Sequence, residues 1–153
     1  MMGGNNMAVV LFIGFSLAGF SHICTAADSQ RDEGDMTPKQ VVEKWIALFN
    51  AGDADGLAAL YHDDAVNHQV TAEPVEGREA IRAMFAGEFA AADMHCIAEV
   101  IHEAGEVAVL EWRDPLGLRG CGFFTVRDGK IAFQRGYWDR LKFLKMHGLP
   151  IED

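Results

Sequence analysis

The sequence predicts one α+β domain in which helices come first and an antiparallel meander follows. Two observations carry that expectation. Apolar residues recur with helical spacing between Thr37 and Ala92, then alternate residue by residue from about Met94 to Trp138. The alternating runs are separated by compact turn signals at Gly105, Pro115-Leu116-Gly117 and Asp128-Gly129, and Asp-Gly between two apolar runs marks a hairpin. A length of 153 residues fits one domain, and no internal repeat or low-complexity segment is visible.

The chain ahead of the helices has a different character. Every Lys, Arg, Asp and Glu lies at or beyond Asp28. Ala8 to Phe20 (AVVLFIGFSLAGF) is mostly apolar, and small and polar residues follow from Ser21 to Ala27. That run is shorter than the roughly 20 residues a membrane-spanning helix needs. An apolar stretch followed by small residues is the order of a secretory signal peptide. Residues 1–27 are therefore expected to form a leader cleaved near Ala26 or Ala27, residues 28–36 (DSQRDEGDM) a disordered tether, and residues 37–150 the folded domain. The expected location is periplasmic or secreted, with no membrane attachment after cleavage. The lack of Lys or Arg in Met1 to Met7 leaves an uncleaved anchor and a misassigned start codon open.

Each element has a local reason. Thr37-Pro38-Lys39-Gln40 reads as a capping box with Pro at the first helical position. Val41, Val42, Trp45, Ile46, Leu48 and Phe49 continue that helix, which Asn50-Ala51-Gly52 stops. Asp53 or Asp55 caps a short second helix through Leu57, Leu60 and Tyr61. A short strand is expected over 65–70, a loop over 71–76, and a third helix over 79–92 burying Ile81, Met84, Phe85 and Phe89. Strands follow over 94–103, 106–114, 118–127 and 130–138, and Asp139 caps a last helix that Gly148 and Pro150 end.

Composition excludes several partners. Thirteen basic against 23 acidic residues give a net charge of −10, whereas nucleic-acid binding needs clustered cations to displace counterions. The same balance argues against adhesion to anionic membrane surfaces. Three cysteines without CxxC or Cys/His spacing suggest neither a disulfide framework nor a zinc site.

Alternation sorts the strand residues between two faces. Ala108, Leu110, Trp112 and Asp114 share the inward face with Leu118, Gly120, Gly122, Phe124 and Val126, and in the last strand Ala132, Gln134, Gly136 and Trp138 alternate against Ile131, Phe133, Arg135 and Tyr137. Ile97, Ile101, Val107, Val109, Phe123, Phe133 and Tyr137 are left on the outer face. An apolar face of that extent is unusual on a monomer, so a homodimer through the outer sheet face is expected. Cys96 is placed inward and Cys121 outward, which argues against a disulfide between them.

Three stretches then carry a resemblance: WIALFNAGDADGLAALYHDDAVNH from Trp45 to His68, EGREAI from Glu76 to Ile81, and GKIAFQRGYWDRLKFL from Gly129 to Leu144. In this order they resemble the SnoaL-like branch of the nuclear transport factor 2-like superfamily, over about Thr37 to Pro150. The resemblance implies a cone, a curved sheet wrapped over helices around one deep apolar pocket. The superfamily includes ketosteroid isomerases, polyketide cyclases, epoxide hydrolases, dehydratases and domains without catalysis, so the fold alone does not decide function.

The pocket expected from these faces has an apolar wall of Trp45, Phe49, Met84, Phe85, Leu110, Trp112, Leu118, Phe124, Trp138 and Phe143. Its polar contents are Asn67, Gln69, Asp114 and Gln134, with Tyr61 reaching in from the helices. A few polar groups in an aromatic cavity suit an apolar small molecule. Asp114 is the candidate general base, since an apolar cavity raises a carboxyl pKa, and Asn67, Gln69, Tyr61 and the Trp112 indole are candidate donors to an enolate oxygen. Equally, Asp114 precedes Pro115 and suits the start of a turn. An isomerase or cyclase without cofactor or metal and a non-catalytic binding or dimerisation module therefore both stay open.

Similarity to limonene epoxide hydrolases in the last strand argues against that activity. Ungapped alignment puts Gly136 at the water-activating Asp, Trp112 at the connecting Arg, Asn67 at the Tyr and Gln69 at the Asn, and Asp114 alone keeps its type. Gly120, Gly122 and Gly136 either enlarge the cavity or let the sheet bend. His68 has the opposite parity from Asn67 and Gln69, so His62, Asp63, Asp64 and His68 are expected as solvated turn residues rather than one metal site, and His95, His102 and Glu103 as strand-face and turn residues.

Overall fold

The computed structural model describes residues 36–151. The expected leader and all but the last residue of the expected tether lie outside the described residues. Helix α1 (Pro38–Asn50) begins as its sequence dictates: the Thr37 hydroxyl accepts the Gln40 N–H at 3.3 Å and the Gln40 side chain accepts the Thr37 N–H at 2.8 Å. It buries Val41, Val42, Trp45 and Phe49 on one stripe. Helix α2 (Ala54–Ala59) is capped by Asp53, which accepts the Gly56 N–H at 2.8 Å.

Tyr61 does not belong to α2, as periodicity suggested, but opens strand β1 (Tyr61–Gln69). The Ile131 N–H donates to Leu60 O at 2.8 Å and Tyr61 pairs with Ile131, so the sheet ladder captures this end of the helix. The segment expected as a loop over 71–76 contains a two-residue strand, β2 (Val75–Glu76), paired with Val66 and Asn67. Helix α3 (Arg78–Ala91) starts at Gly77, whose φ of 88° only glycine adopts without strain. Strands β3 (Ile97–Ala104), β4 (Val107–Arg113), β5 (Arg119–Arg127) and β6 (Lys130–Trp138) form the meander, and α4 (Arg140–Met146) closes the domain with Asp139 as its cap. Asp128 and Gly129 both take positive φ, the hairpin geometry their pairing predicted.

The six strands form one open, curved sheet in the order β2-β1-β6-β5-β4-β3, with only β1 and β6 parallel. Helix α1 packs on β3, β4 and β5, while α3 packs on α2, β1 and β2. Between them lies an aromatic core in which Trp45 stacks on Phe49 at 4.9 Å and meets Phe124 edge-on at 5.4 Å. The Asn50 side chain ties the end of α1 to the start of β3, accepting the Cys96 N–H at 2.8 Å and donating to Cys96 O at 2.9 Å. Among the described residues no helix is long and apolar enough to cross a membrane.

Two bulges correct the face assignment. Ala98 pairs with Trp112 but Val100 pairs with Glu111, so Glu99 is an extra residue and Ile101 comes to face inward opposite Leu110. Likewise Thr125 pairs with Phe133 but Val126 with Ile131, so Ala132 is extra and Ile131 is fully buried. The remaining outward residues keep their expected face, and the Arg135 guanidinium lies 5.5 Å and 5.6 Å from the rings of Phe123 and Phe133. Cys96 and Cys121 are unpaired thiols, the first buried.

The β3 bulge gives a direct test by chemical denaturation. Val100→Asp changes stability by no more than about 0.5 kcal/mol, whereas Ile101→Asp costs about 2 kcal/mol or more. Uninterrupted alternation predicts the reverse order.

Candidate functional site

The inner face of the sheet and the helices enclose a cavity of about 290 Å³. Trp45 and Phe49 of α1 border it, with Met84 and Phe85 of α3. The sheet contributes Leu110 and Trp112 from β4, Leu118 just ahead of β5, Phe124 from β5, and Gln134, Gly136 and Trp138 from β6; Phe143 of α4 closes one side. Gln69 and Asp114 also border the cavity. Tyr61 and Asn67 do not: both are buried behind it and reach it only through hydrogen-bonded neighbours.

Those neighbours form a directed chain. The Trp45 indole N–H donates to the Tyr61 hydroxyl at 3.0 Å, and Tyr61 donates to Gln134 Oε1. From the other end, the Trp138 indole N–H donates to Gln69 Oε1 at 3.2 Å, Gln69 Nε2 to Asn67 Oδ1 at 2.8 Å, and Asn67 Nδ2 to Gln134 Oε1 at 3.2 Å. An indole nitrogen only donates. The Trp138 indole therefore fixes the direction of every bond through Gln69 and Asn67 to Gln134 Oε1, and because that oxygen can only accept, Tyr61 donates to it as well. The Gln134 amide nitrogen is left as a pair of N–H donors on a residue that borders the cavity. Burial holds the Tyr61 phenol far above its ordinary pKa, so it is a neutral link in this chain.

The inward glycines make room for this arrangement. A Cβ at Gly136 would collide with the Gln69 amide, one at Gly120 with the Trp112 indole, and one at Gly122 with the Phe124 ring. The space they leave is occupied by neighbouring side chains. At position 136, where epoxide hydrolases carry their water-activating carboxylate by the alignment above, an amide lies instead.

Asp114 serves as a turn residue and as something more. Its Oδ1 accepts the Leu118 N–H at 2.8 Å and its backbone carbonyl accepts the Gly117 N–H at 3.1 Å, closing the β4–β5 turn. Its Oδ2 lies 3.1 Å from His147 Nε2, and His147 too borders the cavity. In the sequence His147 stands only as the residue before the Gly148 that ends the last helix; its spacing of four from Phe143 was the available signal.

Glu88 was also missed. It stands on α3 at the i+7 position from Ile81 and i+3 from Phe85, inside the apolar stripe, and it borders the cavity. Desolvation pushes its carboxyl up to about pKa 7. The Cys96 thiol, also on the cavity wall, is pushed up to about 11 by burial and stays protonated at neutral pH.

The other polar residues lie apart from this group. His62 Nε2 meets Arg127 O at 2.9 Å, Asp63 pairs with Arg78, and His102 lies 3.6 Å from Glu111. Glu103 accepts the Lys39 N–H at 2.6 Å, and His95 is exposed at the cavity rim. Among the described residues no group of three or more His, Cys, Asp or Glu side chains is arranged to hold a metal ion.

Glu88 makes stability depend on pH with a definite sign. The folded state keeps this proton to about pH 7, whereas an unperturbed carboxyl releases it near 4.5. Between those values the folded state binds more protons, so rising pH favours unfolding. The contribution is full below pH 4.5 and is lost by about pH 7, a change of about 3 kcal/mol. Glu88→Gln cannot ionise, and its denaturation midpoint falls less than that of the parent chain over this window. Equal pH dependence in the two proteins contradicts the assignment.

Comparison with known proteins agrees with this architecture. The family model of the SnoaL-like domain matches residues 42–134. A Catenulispora acidiphila protein with a ketosteroid isomerase-like fold, solved in complex with trimethylamine, is similar at a TM-score of 0.65 and 19% identity, over 75% of this chain and 96% of that one. A Pseudomonas putida KT2440 protein provisionally named a polyketide cyclase is similar at 0.64 and 22% identity, over 72% and 98%. An uncharacterized cystatin-fold protein from Novosphingobium aromaticivorans is similar at 0.60 and 19%, over 67% and 98%. With more than half of its length matched by the family model, the chain belongs to the SnoaL-like domain family.

Proposed function

We propose that this chain binds an apolar carbonyl compound in its cavity and moves protons on it, as an isomerase or cyclase that needs no cofactor. The observation that carries this reading is the convergence of two hydrogen-bond branches on Gln134 Oε1. It turns the Gln134 N–H groups toward a site walled by aromatic rings, and fixed donors aimed at an oxygen stabilise the charge that develops on an enolate. Glu88 adds a carboxyl whose proton is exchanged near neutral pH, the range in which general acid–base groups work. The fold shared with a protein provisionally named a polyketide cyclase supports the same class.

The second reading is a binding module without chemistry. It is favoured by Asp114, the carboxylate that sequence reasoning placed as base, because one of its oxygens is engaged by its own turn.

β-Tetralone, a neutral bicyclic ketone, separates the two. Exchange of its α-hydrogens for deuterium, followed by NMR, is expected to accelerate in the presence of the protein. Gln134→Leu is expected to lower the accelerated rate on the order of a hundredfold. Binding of β-tetralone with no acceleration leaves the binding module and contradicts catalysis.

We further propose that the chain is exported by its leader and pairs through the outer sheet face around Phe123 and Tyr137, whose rings meet edge-on at 5.7 Å. Native mass spectrometry of protein from an exporting host is expected to give a dimer starting near Ala27 or Asp28, and Phe123→Glu a monomer. A monomer that retains the leader contradicts both proposals.

A further inference from the structure

We propose that His147 is the group that takes the proton from a carbonyl compound in the cavity, and that Asp114 is the residue that positions it. This rests on the proton-transfer reading above and names its base. Asp114 is held at a tight turn: its N–H donates to Leu118 O at 2.9 Å, and its Oδ1 accepts the Leu118 N–H at 2.8 Å. One oxygen is then left, and it lies 3.1 Å from His147 Nε2. The imidazole is held from a second side by Phe143, with ring centroids 4.3 Å apart, and Phe143 is itself edge-on to Trp138 at 5.3 Å. Both members of the pair border the cavity.

Chemistry settles the direction of the pair. A carboxylate only accepts, so His147 Nε2 carries the hydrogen and the lone pair of the neutral ring is on Nδ1. Nδ1 has no hydrogen-bond partner among the described residues. With both oxygens of Asp114 engaged, its carboxylate acts through the imidazole, stabilising the imidazolium that forms. Glu88 is assigned below as a donor to the carbonyl oxygen, and two further groups on the cavity wall fit the base role less well. Cys96 keeps its proton at neutral pH, and His95 is exposed at the rim.

In the proposed step the C–H bond beside the carbonyl breaks and its proton passes to Nδ1. The bonding pair forms a carbon–carbon double bond while the carbonyl π pair moves onto oxygen. That oxygen accepts from the Gln134 amide and from the Glu88 carboxyl. The imidazolium then returns a proton, either to the same carbon or to the far carbon of a conjugated enolate. Nothing is oxidised or reduced, and the base ends as it began.

Deuterium exchange into β-tetralone by the full chain tests this, together with NMR of the His147 ring nitrogens. His147→Gln is expected to lose exchange on the order of a hundredfold while still binding β-tetralone. Added imidazole is expected to restore exchange to His147→Ala and to leave Glu88→Gln unchanged. The parent chain should show His147 protonated on Nε2, with that preference lost in Asp114→Asn. Exchange by His147→Gln at the parent rate overturns this proposal and leaves the proton-transfer reading standing, as does failure of imidazole to rescue. A hydrogen on Nδ1 in the parent chain overturns it independently of any variant. Binding without exchange by the parent chain overturns the reading and this proposal together.

Discussion

Trp45 and Trp138 bear indole nitrogens that can only donate, and that restriction orients the polar interior of the domain. In isolation the amides of Asn67, Gln69 and Gln134 could turn either way, and the Tyr61 hydroxyl could donate or accept. Anchored at both ends, they have one consistent arrangement, with Gln134 Oε1 accepting twice. Among the described residues no buried side-chain nitrogen or oxygen is left without a partner. A buried group deprived of its partner costs about 1–3 kcal/mol, so reversing any member of the chain is penalised at its neighbour. Pre-organisation of the Gln134 donors follows from packing elsewhere in the interior.

The sheet is built to accommodate that chain. Gly136 leaves room for the Gln69 amide, and Gly120 for the Trp112 indole, where a Cβ would collide with either. The parallel pairing of β1 with β6 sets Asn67 beside Gln134 and Gln69 beside Gly136, so backbone register and side-chain network specify each other. The aromatic wall then lowers the local dielectric, which strengthens hydrogen bonds within the cavity and disfavours the ionised form of Glu88.

Much of this was legible in the chain itself. Capping residues marked α1, α2 and α4, and alternation placed Asn67, Gln69 and Gln134 on the inward face, because period-two patterning survives wherever a strand runs without interruption. It failed at Ile101 and Ile131, where one extra residue in a strand reverses parity and no local residue type announces it. Tyr61 was misplaced because its aromatic ring satisfies a helical stripe as well as a strand, and pairing with β6 decided the matter. Glu88 and His147 were passed over for another reason. Helical positions were read for apolar stripes, so an ionisable residue within the stripe was discounted, although an ionisable group on an apolar stripe is the one whose chemistry burial alters.

The proposed chemistry depends on the Gln134 amide facing the cavity as a donor to oxygen. Infrared difference spectroscopy of isotope-labelled β-tetralone bound to the protein tests it most directly, because a carbonyl stretch falls in frequency when its oxygen accepts hydrogen bonds. The expected stretch lies below that of the ketone in an apolar solvent, with most of the displacement lost in Gln134→Leu. A bound carbonyl that absorbs as it does in an apolar solvent, in parent and variant alike, would contradict it.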